Sequence, residues 1–217
     1  MLADVRRRIR DACMRAGRDP AEVKLVAVTK GHDALEIERR VVLAGCLVLG
    51  ESRVQEWRDK ADQLSDHGIE WHLVGNLQRN KVKYCRSFHT IHSLNSRRLA
   101  DELQRHGERF DHRFRVLVEV NLTGEESKRG AVLSDADSLV EYARVQPNVE
   151  VAGLMTMAPW HDDRERVRPV FAGLRALRDK LGLVDLSMGM SNDFEVAIEE
   201  GATIVRVGTA LFQRAEP

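Results

Sequence analysis

The chain has 217 residues, of which 43% are hydrophobic and 31% charged, which suits one large soluble domain or two small ones with a substantial core. Lysine plus arginine and aspartate plus glutamate both count 34, so no net charge draws the chain to nucleic acid or to an anionic membrane surface. Cys13, Cys46 and Cys85 are widely spaced and form no C-x-x-C pair, which speaks against a disulfide framework or a zinc site and for a reducing compartment.

At the N-terminus, Asp4, Arg6, Arg7, Arg8, Arg10 and Asp11 leave no room for the apolar core of a signal peptide. The Arg6-Arg7-Arg8 cluster, with acidic neighbours, reads as a solvated helix face. No stretch approaches the roughly 18 apolar residues of a membrane helix, and a cytoplasmic protein is expected. Leu2, Val5, Ile9, Ala12 and Ala16 recur at helical spacing before Gly17, which offers a C-cap. A first strand is predicted at Val23–Thr29, then a helix marked by Ile37, Val41 and Ala44 and closed by Gly45. Cys46–Leu49 is a second strand, followed by a polar helix from Val54 to about Leu64. Ile69–Val74 is a third, Leu77 to about Tyr84 a short helix, and Thr90–Leu94 a fourth strand, after which Ser96 is expected to cap a helix carrying Leu99 and Leu103.

Phe114–Val120 alternates and is β-rich, giving a fifth strand. Ser134 and Asp137 resemble a capping box ahead of the stripe Ala136, Leu139, Val140 and Ala143. Val149–Met157 is a sixth strand. Val167, Val170, Phe171, Leu174, Leu177 and Leu181 stripe a long helix whose first turns hold Pro169. Val184–Met188 is the seventh strand, Ser191–Glu200 a short helix stopped by Gly201, Thr203–Val207 the eighth strand, and Gly208–Phe212 a last helical turn. Strands alternating with helices imply parallel βαβ units. Eight of them, in one domain over residues 1–217 with an N-terminal helix, imply a closed (β/α)8 TIM barrel. A doubly wound open sheet is the alternative, weakened because no G-x-G-x-x-G follows the first strand.

In such a barrel, function gathers at the C-terminal ends of the strands. Those ends carry Lys30, Gly50-Glu51-Ser52, His72 with Gly75 and Asn76, His92-Ser93, Asn121, Met155, Gly189-Met190-Ser191, and Arg206 with Gly208-Thr209. A lysine desolvated at the end of a buried strand has a lowered pKa and can attack a carbonyl to form a Schiff base. Ser191 and Gly208-Thr209 stand where helices open and could cradle a phosphate, because helix N-termini favour anions; ordinary N-caps read the same way. Arg206, inside the apolar run Ile204–Val207, needs a partner, either a core carboxylate or a ligand above it. His72 reads as a packed core histidine or a metal ligand, and no metal site is expected. Glu51 and Glu119 could be buried acids, which the sequence does not place together.

The motifs at these ends resemble one family. They are Val26-Ala27-Val28-Thr29-Lys30, Gly50-Glu51-Ser52-Arg53-Val54-Gln55-Glu56, His72-Leu73-Val74-Gly75-Asn76-Leu77-Gln78-Arg79-Asn80-Lys81 and Ile91-His92-Ser93-Leu94. Gly124–Gly130, Gly153-Leu154-Met155, Leu186–Phe194 and Arg206–Phe212 complete the set. The resemblance, from about residue 2 to 212, is to the pyridoxal phosphate homeostasis proteins. It implies a fold like the N-terminal barrel of alanine racemase, and pyridoxal 5′-phosphate as cofactor, with Lys30 as Schiff-base lysine and Ser191, Gly208 and Thr209 as phosphate cup. Arg206 would face the pyridine nitrogen, which an arginine cannot protonate. Met155, Asn121, Ser93 and His72 complete the expected cofactor site. Thr29 replaces the family's usual Ser, Ser52 its frequent Asn, and Gln213 its common Gly.

The implied function is a non-catalytic one: buffering or delivery of pyridoxal phosphate, with cofactor-dependent apoenzymes as potential recipients and a monomeric state. A racemase is the alternative. It needs a second base opposite Lys30, and the only tyrosines, Tyr84 and Tyr142, fall in predicted helices. A class I aldolase also uses a barrel lysine, but commonly on a late strand rather than the first.

Overall fold

A computed structural model describes residues 1–124 and 130–212. The N-terminal helix α1 (Leu2–Arg15) forms where Leu2, Val5, Ile9 and Ala12 make one buried stripe, with Asp4 in its first turn and Arg15 in its last, signs that suit the helix dipole. Gly17, at φ +65°, lets the chain leave the helix.

Eight parallel strands follow: β1 (Lys24–Val28), β2 (Val48–Glu51), β3 (Glu70–Leu73), β4 (Thr90–Leu94), β5 (Phe114–Asn121), β7 (Val149–Met155), β8 (Asp185–Ser187) and β9 (Ile204–Val207). Each pairs with its successor, β4 pairs with β5, and β1 pairs with β9, which closes the ring. Closure leaves the ring of eight strands without an edge and sets aside the open doubly wound alternative. A ninth strand, β6 (Ala131–Val132), pairs with Val120 and Asn121 at the C-terminal end of β5, beyond the residues that pair with β4 and β7; two residues give too little alternation to be read from sequence.

The helices between strands are α2 (Ala34–Ile37), α3 (Val54–Gln63), α4 (Arg97–Phe110), α5 (Leu133–Arg144), α6 (Arg168–Leu181), α7 (Phe194–Glu199) and α8 (Thr209–Phe212). Several boundaries differ from expectation. α2 runs on as a π-helical turn, Glu38–Val42, which keeps Ile37, Val41 and Val42 on the core side. The stretch expected as a helix from Leu77 is a 3-10 helix, Arg79–Tyr84. The Ser134–Asp137 capping box is absent: α5 begins at Leu133 behind the N-cap residue Val132, which puts Ser134 inside the first turn, and Asp137 pairs with Lys180 instead. Ser96 stands at the N-cap of α4, but its side chain makes no cap hydrogen bond.

Apolar side chains divide into two layers. The larger fills the space between sheet and helices, with Phe114, Phe171, Phe194 and Leu103 fully buried. A smaller one, Val26, Leu117, Ala152, Met155 and Ile204, lies apart from it. Gly153 lets β7 approach β8, since a Cβ there would stand 2.0 Å from the Asp185 carbonyl oxygen. Phe171 has no exposed surface, so Phe171→Ala is expected to lower unfolding free energy by about 3–5 kcal/mol in urea titrations.

Candidate functional site

Lys30 lies beyond its strand. β1 ends at Val28, Thr29 is fully buried, and Lys30 is exposed in the turn that follows. The expectation of a desolvated strand-end lysine is therefore corrected: the register with β2 ends at Val28–Gly50, the Thr29 N–H donates to the Gly50 carbonyl at 3.0 Å, and Lys30 falls in the exposed turn. The turn is nevertheless tightly held. Thr29 Oγ1 donates to Glu51 Oε1 at 2.5 Å, Lys60 Nζ donates to the same oxygen at 2.6 Å, and Lys60 Nζ also donates to the Thr29 carbonyl at 2.8 Å. Glu51 is fully buried and Lys60 nearly so. A buried carboxylate and a buried ammonium thus fix the residue that precedes Lys30.

His32 ties the same turn to the end of the chain, its ring stacked on Phe212 of α8 at 4.0 Å between centroids. At the start of α8, Ser191 Oγ accepts from the backbone N–H of Gly208 at 3.3 Å and of Ala210 at 3.2 Å. The serine therefore caps α8 from another loop, whereas its own following helix, α7, begins at Phe194 behind the N-cap residue Asp193. Asp193, buried, accepts from Met190 N–H at 2.6 Å and holds the intervening turn. Gly189 in that turn has φ +90°, and a Cβ there would lie 2.6 Å from the Ala197 Cβ, so both conformation and space demand glycine. A hydroxyl oxygen gathering two N–H groups, beside the exposed Thr209, marks a place where an anion's oxygens would be well received.

Arg206 points into the barrel. It is 5% exposed; Nη1 donates to Ser187 Oγ at 2.6 Å and Nη2 to the Thr156 carbonyl at 3.0 Å. Burial pushes its pKa down to about 10, against the pull of Asp193 and Glu119, so the guanidinium stays charged at neutral pH. Among the described residues no carboxylate forms an ion pair with it.

The remaining expected site residues have other engagements. Ser93 Oγ donates to the Gly75 carbonyl at 2.8 Å and joins β4 to the loop after β3. Met155 belongs to the smaller apolar cluster. Asn121, at the end of β5, accepts through Oδ1 from the Thr123 amide and hydroxyl. His72 is corrected in position: its Nε2 lies 2.8 Å from Glu70 Oε1 at the start of β3, and its Nδ1 lies 2.8 Å from His92 Nε2. It bonds toward the barrel floor and reaches Arg206 only through His92 and Ser187. At that floor Glu70, His72 and His89 bring ligand-type atoms within 4.8 Å of one another, but the Lys24 ammonium already sits 2.6 Å from Glu70 Oε1. Gln213 and residues 125–129 of the Gly124–Gly130 motif lie outside the described residues.

Sequence reasoning missed Lys60 and Ser187. Lys60 is one of several charges on a polar helix, and Ser187 is a small residue inside a three-residue strand; neither carries a signal until the fold pairs it. Glu51 and Glu119 are buried, at 0% and 3% exposure, as the apolar context of their strands suggested.

The family described as "Alanine racemase, N-terminal domain" matches residues 2–215, which fixes the class as that barrel. The same fold recurs in alanine racemase of Clostridium difficile at 12% identity and TM-score 0.72, over 99% of this chain and 57% of the racemase. The pyridoxal phosphate homeostasis protein of Aquifex aeolicus is 48% identical over 97% of this chain and 95% of its own length, and that of Escherichia coli 34% identical over 97% and 94%. PipY of Synechococcus elongatus, solved with pyridoxal phosphate bound, superposes with TM-score 0.83 at 34% identity over 96% of this chain and all of that one. The chain belongs to the pyridoxal phosphate homeostasis protein family.

Two outcomes follow for stability. Lys60→Ala strands the buried Glu51 carboxylate and is expected to cost about 3–5 kcal/mol in urea unfolding. Burial lowers the pKa of both His72 and His92, so the folded state holds them neutral while the unfolded chain protonates them near their ordinary 6.5. Stability is then full above that value and falls as pH drops below it, by up to about 1.4 kcal/mol per pH unit for each histidine. Urea midpoints from pH 7 to pH 5 should show that slope, and His92→Gln should reduce it.

Proposed function

We propose that this chain binds pyridoxal 5′-phosphate at the C-terminal mouth of the barrel and holds or delivers it without turning over a substrate. The observation that carries the reading is the joining of three groups at one end of the barrel. Lys30 stands exposed on a clamped turn, Ser191 gathers the N–H groups of Gly208 and Ala210, and Arg206 is buried with its charge toward the interior. These suit an aldehyde, a phosphate and a pyridine ring in that order. Lys30 would anchor the aldehyde covalently, and Ser191, Gly208 and Thr209 would receive the phosphate. Arg206 would lie against the ring nitrogen, with Met155, Asn121 and Ser93 around the site and His72 behind Arg206. When bound, the cofactor supplies an electron sink, weakened by a partner that keeps its own proton.

The non-catalytic reading draws on the relatives, named for homeostasis rather than for a reaction, and on the tyrosines. Tyr84 ends the exposed 3-10 helix, and Tyr142 on α5 donates to Asp101 at 2.5 Å. The exposure of Tyr84 and the tie of Tyr142 to Asp101 do not suit the opposite-face base that racemisation requires. No helix among the described residues is long and apolar enough to cross a membrane. A monomer in the cytoplasm that passes cofactor to dependent apoenzymes completes the proposal.

Protein incubated with pyridoxal 5′-phosphate and freed of excess should be yellow, and borohydride should fix a pyridoxyl group on Lys30, read by peptide mass spectrometry. Lys30→Ala should lose the visible absorbance while retaining some phosphate-anchored cofactor. A wild-type protein that stays colourless sinks the cofactor reading, and robust exchange of amino-acid α-protons into deuterated water sinks the carrier reading.

A further inference from the structure

A continuous line of buried polar groups runs from the floor of the barrel to Arg206. Arg206 Nη1 lies 2.6 Å from Ser187 Oγ, Ser187 Oγ lies 2.9 Å from His92 Nδ1, and His92 Nε2 lies 2.8 Å from His72 Nδ1. His72 Nε2 ends the line 2.8 Å from Glu70 Oε1. Exposures of Arg206, Ser187, His92 and His72 are 5%, 0%, 0% and 1%, so solvent does not compete for these bonds. The carboxylate end determines the direction of the bonds that run through the histidines. A guanidinium can only donate, and an ionised carboxylate can only accept. Glu70 is ionised, its pKa held at about 2 by the hydrogen bond from His72 and the nearby Lys24. His72 must therefore donate from Nε2 and accept at Nδ1; His92 must then donate from Nε2 and accept at Nδ1, and Ser187 accepts from Arg206 while donating to His92.

We infer that Glu70, His72, His92 and Ser187 form a polarised hydrogen-bond relay that positions the Arg206 guanidinium and transmits the charge state of the barrel floor to it. The inference rests on the cofactor reading only for its consequence at the mouth; the relay itself is a property of the protein alone. Ser187 is the member free to turn its proton, so the Arg206 end leaves the histidines a choice. The carboxylate at the floor removes that choice. Lys24, 2.6 Å from the same Glu70 oxygen, and His89, 3.5 Å from it, are the other titratable groups at this end; Asp193 and Glu119 are the charges that act on Arg206 at the other. The histidines are positioning residues: aligned dipoles direct negative ends at the guanidinium, which no carboxylate among the described residues contacts. They hold the cation in place and leave its charge uncancelled for a ring nitrogen above it.

The test needs no cofactor in its first arm. Two-bond proton–nitrogen spectra of protein labelled with 15N-histidine, at pH 8, are expected to show His72 and His92 both as the Nε2–H tautomer. In Glu70→Gln, at a partly exposed position where folding is retained, the neutral amide can donate or accept. His92, which does not touch residue 70, is then expected to become a mixture containing the Nδ1–H form. A wild-type His92 that is Nδ1–H or cationic, or a His92 unchanged by Glu70→Gln, overturns the relay.

The second arm measures pyridoxal 5′-phosphate affinity from its visible absorbance. His92→Leu removes both the donor and the acceptor and should weaken binding about tenfold. His92→Gln keeps one of each and should recover affinity to within about twofold of wild type. Equal losses in the two variants contradict positioning by bond polarity. A wild-type protein that takes up no cofactor defeats the proposed function, while the tautomer spectra still decide the relay.

Discussion

A guanidinium charged at neutral pH and buried inside a barrel is the constraint on which the rest of the site depends. Taking Arg206 out of water costs several kcal/mol if nothing answers its charge, and among the described residues no contacting carboxylate answers it. It uses the Thr156 carbonyl, the Ser187 hydroxyl and the two histidines behind it, with Glu119 and Asp193 as more distant charges. Partial compensation of this kind keeps the cation in place and leaves it able to act on something else. A tight ion pair would have stabilised Arg206 and silenced it.

The same economy appears at Lys30. Its amine is exposed, yet the residue before it is bound through side chain and backbone to the Glu51–Lys60 pair. The buried ammonium in this corner is therefore Lys60, which serves as structure, and the reactive candidate is left outside. An exposed head on a fixed base suits the aldehyde anchor proposed for Lys30. His32 against Phe212 and Ser191 against α8 then bring the first and last loops of the barrel together, so the two halves of the mouth assemble only when the ring of strands is closed.

Much of this was legible in the chain. Alternation of apolar runs with helical stripes gave eight strands and their order, since period-2 and period-3.6 patterns are local properties. The strand ends carried Lys30, Ser191 and Gly208 because loops tolerate polar and glycine residues that strands reject, and Arg206 stood out because it is a charge inside an apolar strand. Boundaries were less legible. Where β1 stops depends on how far β2 can pair with it, and that is decided by a neighbour twenty residues away. The Ser134–Asp137 box failed because Asp137 found Lys180 across a helix–helix contact, which no local pattern encodes.

The sequence by itself determined the barrel, the order of its strands and the residues that crowd its mouth, because each follows from short-range periodicity and turn chemistry. Tertiary structure alone decided that the buried lysine is Lys60 and the exposed one Lys30, and that Ser191 caps a helix not its own. It also decided that His72 faces the floor and speaks to Arg206 through His92 and Ser187. These are pairings between residues far apart in the chain, and a hydrogen bond across a barrel leaves no trace in the order of amino acids until closure sets its ends within 3 Å.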